Sequence, residues 1–377
     1  VNNDAQWIRK FNLTVYKPGS ATQTGLTGGA EPGLTVTGKT AQSGIDLSNL
    51  RCTFNITKTT NAMPNVLYAR IYNMSPQTMA KVIEFTRVQV SAGYMYSNYG
   101  VIFDGKVVQY RRGKENPVDT YLEIHAGDGD GAYNGATVFE VYKAGTSERK
   151  MLEDALEAKK KEEDNFEVAF LEKDFANKTL PRTQVQARKA AQIEADLARA
   201  YQVNNFMENG QYIALKKSGY REGVKVILTP KTGLVGMPEV TPQGIQARCL
   251  LNSKLRLAGI VQIDSNLISG VPYTPGTAAQ VVKDAQGNDV IQPGTPTGGI
   301  VRDQALRGQQ IETAWTSPRG EYKILLMKYS GDTRGNPWYC DLTCVAIGSN
   351  GKVMLAGNPS SAWNRSAPEA RTGPGSF

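Results

Sequence analysis

The chain has a single histidine, His125, and only four cysteines in 377 residues. One imidazole excludes His-rich metal centres and leaves Ser-His-Asp catalysis with one candidate base. His125 falls in the strand-like run Tyr121-Leu-Glu-Ile-His125, where a structural role is the simpler expectation. Cys52, Cys249, Cys340 and Cys344 form no C-x-x-C pair. Between Cys340 and Cys344 an extended chain spans about 13 Å, beyond the ~7 Å Cα limit for a disulfide. Buried free thiols in a reducing compartment are expected. No run approaches the ~18 apolar residues that cross a bilayer. The opening Val1-Asn-Asn-Asp-Ala-Gln-Trp-Ile also lacks a signal-type apolar stretch. The expectation is a soluble protein made in the cytoplasm, with no membrane insertion of its own.

Charge is present but dispersed. Lys and Arg total 43 against 35 acids, a net +8, which permits contact with anions without demanding it. The densest run, Lys159-Lys160-Lys161, is followed by Glu162-Glu163-Asp164 and reads as a solvated helix face. Two motif matches fail on context. Gly33-Leu-Thr-Val-Thr-Gly38-Lys39-Thr40 spells a P-loop, but a Gly/Thr-rich loop precedes it and no helix follows. Asp128-Gly-Asp130-Gly opens like a calcium loop, yet Ala132, Tyr133 and Phe139 occupy positions five, six and twelve. A turn held by Asp side chains is the plainer reading. Asp104, Asp128 and Asp130 have ordinary turn contexts, and spacing alone locates no carboxylate pair. No catalytic residue, cofactor or metal ligand is assigned.

Strand signals dominate the first 126 residues: residues 7–16, then Leu50–Lys58, Val66–Tyr72, Arg87–Ala92, Val101–Arg111 and Thr120–Ala126. A long loop spans 18–40. Ser75-Pro76 caps one short helix. Such closely spaced strands predict a barrel or sandwich. A helix follows Thr146 or Ser147, and a second is expected from near Leu180-Pro181-Arg182, with Val185, Ile193, Leu197 and Tyr201 on one face. A hairpin over Asn204–Lys217 turns at Glu208-Asn209-Gly210. Strands return at Val224–Leu228, Gly244–Leu251, Arg256–Ile263, Tyr322–Tyr329 and Trp338–Ile347. A projecting hairpin is centred on 281–291. The predicted fold is mainly β with an α+β insert: two antiparallel β-barrel domains, 1–145 and 224–350 (projecting loop 269–310), flank a helix-rich α/β domain, 146–223. An extended tail covers 351–377.

Tyr94, Tyr96 and Tyr99 suggest a protein contact more than a sugar or base platform. In Tyr322–Met327 both alternating sets are apolar. Either one of the two sets, Tyr322, Ile324 and Leu326 or Lys323, Leu325 and Met327, lines the barrel while the other meets a neighbour, or the whole strand is buried within one domain. Tyr322, Ile324, Leu326, Tyr94 and Tyr99 are therefore the interface candidates.

Several phrases, in order along the chain, resemble bacteriophage tail baseplate hub proteins. In the first half they are Gly44-Ile-Asp46-Leu-Ser48-Asn-Leu50-Arg51, Ala69-Arg70-Ile71-Tyr72-Asn73-Met74-Ser75, Asn98-Tyr99-Gly100-Val-Ile-Phe103-Asp104-Gly105 and Asp128-Gly-Asp130-Gly-Ala132-Tyr133-Asn134. Leu180-Pro181-Arg182, Thr232-Gly-Leu-Val-Gly236-Met-Pro238-Glu239, Arg248-Cys-Leu250-Leu-Asn252 and Gly331-Asp332-Thr333-Arg334-Gly335 with Trp338-Tyr339 continue the match. Such hubs are similar to the base of the type VI secretion spike. The resemblance implies two tube-like barrels per subunit and a homotrimer that adapts the sixfold tail tube to the threefold central spike. It implies as partners a tail tube or distal tube-ring protein, the spike, the tape-measure protein and baseplate wedge proteins, with genomic DNA only in transit. The place is the virion tail baseplate, after assembly in the host bacterial cytoplasm. The alternative is a β-rich tail enzyme or glycan-binding module acting on the host envelope.

Overall fold

The structure is a computed structural model that describes residues 8–17, 44–163, 165–223, 225–241, 244–264, 268, 280–283, 289–292, 317, 320–348, 351–353 and 355–356. The P-loop-like segment, the 18–40 loop, most of the 269–310 loop and the tail after 356 lie outside the described residues.

Alternation of small apolar and polar residues sets the first group of strands: β1 (Arg9–Tyr16), β2 (Ile45–Asp46), β3 (Cys52–Thr59), β4 (Asn65–Tyr72), β5 (Arg87–Tyr94), β6 (Gly100–Lys114) and β7 (Thr120–Asp128). In β3, Cys52, Phe54 and Ile56 point inward. Helix α1 (Pro76–Val82) starts where expected: the Ser75 hydroxyl accepts the Thr78 N–H at 3.1 Å and proline opens the first turn.

The insert comprises α2 (Asp130–Asn134), β8 (Thr137–Tyr142), α3 (Glu148–Glu162), β9 (Glu167–Leu171), β10 (Gln184–Lys189), α4 (Ala190–Ala200), β11 (Val203–Glu208) and β12 (Gln211–Lys216). Ser147 caps α3 by accepting the Arg149 N–H. Lys159–Lys161 stand in its last turn, where positive charge suits the helix dipole. Lys160 and Lys161 are exposed, but Lys159 departs from the expected solvated face. It turns inward to Glu194 at 2.5 Å, both buried. The second helix starts at Ala190, not near 180. Residues 184–189 alternate and pair with β8 instead, because Gln186 points inward while Val185 and Ala187 point out.

The last group is β13 (Lys225–Leu228), β14 (Leu234–Thr241), β15 (Gly244–Leu250), β16 (Ile260–Ile263), β17 (Gln280–Lys283), β18 (Asp289–Gln292), β19 (Glu321–Asp332), β20 (Trp338–Ala346) and β21 (Leu355–Ala356). β17 and β18 form the anticipated small hairpin.

The mainly β class with an α+β insert is as expected. The two β halves are continuous: one 13-stranded sheet runs β14-β15-β20-β19-β3-β4-β7-β6-β5-β1-β2, with β16 and β13 attached at β19. It curls around one core built from both halves, including Phe54, Ile56, Phe103, Leu122, Tyr322 and Trp338. A second core lies in the insert, where α2 and β8 pack with α3 and α4. The sheet β11-β12-β9 is a wall shared by both cores. Phe206, Ile213 and Leu215 face the first, and Val203, Met207, Tyr212 and Ala214 face the second.

All four cysteines are free and buried in these strands. Cys249 and Cys340 are cross-strand neighbours, and the Cys249 thiol donates to the Cys340 carbonyl at 3.5 Å. Burial pushes the Cys52, Cys340 and Cys344 thiols far up, which suppresses the reactive thiolate. In a colorimetric thiol assay at neutral pH the native chain should therefore stay silent over minutes. All four sulfurs should react once it is unfolded in guanidinium.

Candidate functional site

The most interlocked side chains lie where the two β halves join, along β3 and β19. In register, Phe54 lies opposite Gly331. A Cβ on Gly331 would come within 2.3 Å of the Phe54 ring, so the close approach requires glycine there. Phe54 stacks on Phe11 at 5.4 Å and meets Trp338 edge-on at 5.6 Å. Arg9 covers the Trp338 ring at 5.4 Å and donates to the Gly335 and Asn336 carbonyls at 2.6 and 3.0 Å. One aromatic cluster thus ties β1 and β3 to β20.

Polar bonds close the same seam. Arg51 donates to Asp332 at 2.9 Å. Burial would raise the Asp332 carboxyl, but the Arg51 bond and the Arg334 N–H outweigh it and leave it below its ordinary value. Cys52 N–H donates to the Thr333 hydroxyl, Thr333 N–H donates to the Cys52 carbonyl, and Arg334 reaches the Asn49 carbonyl. The phrases at 44–51 and 331–335, distant in sequence, are the two sides of one lock.

A second constellation fixes the insert to the sheet. The β11–β12 turn places Asn209 and Gly210 at φ 54° and 82°, a left-handed pair suited to Asn-Gly. The Asp128 carboxylate at the end of β7 accepts their two N–H groups at 2.6 and 2.9 Å. Asn65 donates to Asp128 at 3.3 Å and to the Met207 carbonyl at 2.7 Å. Lys58 donates to the Asn209 side chain at 2.9 Å and lies 4.0 Å from Glu208, which accepts Arg221 at 2.6 Å. Asp128 is thus no local turn residue, as its motif suggested, but the receptor for a turn in another module. Burial pushes its carboxyl up to about 6, against the pull of Lys58 and the two turn N–H groups. Burial likewise lowers Lys58, with Glu208 opposing. Removing one partner of such a set strands a buried charge.

The interface candidates divide between buried and half-buried positions. Tyr322, Ile324 and Tyr94 are buried in the chain's own core and have no surface to offer a neighbour. Leu326 and Tyr99 are half-buried, with Lys10 4.4 Å above the Tyr99 ring. Three successive residues of β19, Tyr322, Lys323 and Ile324, are buried, so both of its faces are covered there. Lys323 is buried too, donating to the Lys217 and Gly219 carbonyls, with burial lowering it to about 8. A bulge between Ile324 and Leu326 breaks the alternation on which the candidate face rested. His125 bonds to Glu123 and lies edge-on to Tyr68. Asp104 takes a two-point bond from Arg87, both contacts 2.8 Å, and Asp130 accepts from Asn134. Among the described residues, no group of three or more His, Cys, Asp or Glu is placed to hold a metal. Sequence reading missed Lys58, Asn65 and Glu208, whose partners lie on distant strands. It also missed the exposed apolar face of β8 and β10, which the run Val138-Phe139-Glu140-Val141-Tyr142 signals.

The family described as Baseplate hub gp41 matches residues 28–272. The chain belongs to this family. It is a baseplate hub protein, a structural component of phage tails, and the seam and insert junction are the internal framework of that hub. Among curated proteins nothing matches. Among solved structures the hub chain is similar to the 43 kDa tail protein of prophage MuSo2 from Shewanella oneidensis, at 8% identity and TM-score 0.46, covering 83% of this chain and 97% of that one. It is also similar to the E. coli c3393 protein, a component of the type VI secretion system, at 8% identity and TM-score 0.45, covering 78% and 73%. A third similarity is to the Francisella PdpA-VgrG complex, at 8% identity and TM-score 0.43, covering 93% of this chain and 59% of that one. These likenesses are distant.

Two outcomes follow from the hub's framework. Phe54→Ala should cost about 3–5 kcal/mol, and Gly331→Ala should also destabilise by forcing the Phe54 ring away; urea midpoints read both. The folded Asp128 value lies above the ordinary carboxylate value. The stability it contributes is therefore fully present below that ordinary value and is lost as pH rises through about 6. The margin of wild type over Asp128→Asn should accordingly be wider near pH 4 than near pH 8, read from urea midpoints at each pH.

Proposed function

We propose that three copies of this hub chain form a ring that adapts the sixfold tail tube to the threefold central spike. The ring encloses part of the channel for the genome, and the chain has no reactive centre of its own. The observation that carries the reading is the β3–β19 seam, which locks two β modules of one chain edge to edge. A subunit that offers two β modules lets three chains meet a sixfold partner with six. Such a part must be stiff, because a drifting second module would lose register with the tube. Paired backbone, the aromatic cluster and the Arg51–Asp332 bond supply that stiffness.

In this reading residues 1–145 and 224–350 are the two tube-like units, 146–223 the insert and 351–377 the tail. The tail tube or distal tube-ring protein lies on one side of the ring and the spike on the other, with tape-measure and wedge proteins as further neighbours. DNA passes through without being held, consistent with a modest net +8 spread over the chain. The site of action is the virion baseplate, reached after assembly in the host cytoplasm.

Light scattering on the purified chain tests the ring. The expected mass is three times 41.0 kDa. A chain that stays monomeric at high concentration and binds neither tube nor spike protein contradicts it. Clearing of a murein gel by the pure protein would contradict the absence of a reactive centre.

A further inference from the structure

Strand β6 changes partner half-way along. From Gly100 to Lys106 it pairs with β5, and from Lys106 to Lys114 it pairs with β7 on its other side. The Val107 N–H still donates to the Thr86 carbonyl at 2.7 Å. Past it, no strand among the described residues lies on the side that β5 has left. Residues 108–114 are therefore an open sheet edge. Val108 is 61% exposed, and Gln109, Arg111, Arg112 and Lys114 are exposed with it.

That edge is also cationic, on both faces of the sheet. Arg111 lies opposite Glu123 on one face, while Arg112 opposite Leu122 and Lys114 opposite Thr120 stand on the other. The nearby carboxylates are already engaged. Glu123 accepts from Arg70 at 2.7 Å and bonds to His125, and Asp119 accepts from Asn73 and Asn116 at 2.9 and 2.7 Å. Glu115 is the acid next to the run in sequence, so the run keeps a net positive charge. One lysine is enough to blunt an edge against stray pairing. Three cations in four residues go further, and their mutual repulsion is relieved when carboxylates come alongside.

We infer that the β6 edge from Val108 to Lys114 receives an extended, Asp- or Glu-bearing segment of another protein as an added strand. The backbone selects a polypeptide. An open edge presents N–H donors and C=O acceptors together, which a second extended chain satisfies and phosphate oxygens, acceptors only, do not. The side chains select its sign, since arginine forks match carboxylates in two-point bonds. Two β6 edges from two copies would set cations against cations, so this edge does not pair with itself. The inference does not depend on the threefold ring.

Fluorescence anisotropy of the full-length chain with a short labelled peptide of alternating glutamate and valine tests this, with hydrogen exchange locating the contact. The peptide should bind, more weakly as salt rises, and slow exchange of the 108–114 amides that point away from β7. A lysine–valine analogue, and the glutamate–valine peptide N-methylated throughout, should each bind about tenfold more weakly or worse. Arg111→Glu with Arg112→Glu should reverse the preference toward lysine–valine while the thermal melt stays as in wild type. An N-methylated peptide that binds as well as its parent overturns the added strand, since charge alone then holds it. Outward amides already protected in the free chain overturn it too, because the chain's own residues or a second copy then cover the edge. So does a DNA duplex that takes the peptide's place and binds more tightly, and so does a glutamate–valine peptide that fails to bind. Trimer mass is read separately, so the ring and the added strand can fail independently.

Discussion

The backbone pairing of β3 with β19 is the constraint on which the rest depends. It joins strands from opposite ends of the chain, so its loop-closure entropy must be met by packing that forms at the same time. The seam concentrates that packing. Gly331 leaves room for Phe54, Phe54 carries Phe11 and Trp338, and Arg9 covers the indole. Without the glycine the rings would part, and without the rings two half-sheets would present unpaired edges, the surfaces most prone to indiscriminate pairing.

The insert depends on the seam only through a shared wall. β11 and β12 present one side chain to the sheet core and the next to the insert core, so the hairpin is buried on both faces without belonging wholly to either. Apolar packing alone would let such a wall slide. The Asp128 carboxylate, seated on the Asn209–Gly210 turn, fixes its register by two directional bonds, and the Lys58–Glu208–Arg221 chain keeps the neighbouring buried charges partnered. Hydrophobic burial holds the insert in place, and the polar set decides which place.

Much of this was legible from residue order. Strands with clean alternation, such as Cys52-Thr-Phe54-Asn-Ile56, were found, as were the Ser75-Pro76 cap and the Asn209-Gly210 turn, because their causes are local. Residues 184–189 misled because Val185, Ile193 and Leu197 fall at helical spacing while the strand alternation ahead of them is short. β14 went unread, its Pro238 demoting it. The interface candidates on β19 were ambiguous for a different reason. An apolar strand between two sheets and one between two subunits have the same composition, and only β3, β16 and β20 around it separate the cases. The phrases that carried the family resemblance mark the seam from both sides, which no local rule reveals.

The account stands or falls on symmetry. Electron-microscope class averages of the assembled hub viewed down its axis should show six evenly spaced β-rich lobes contributed by three chains. Averages with a single lobe per chain, or fields of isolated subunits, would contradict it.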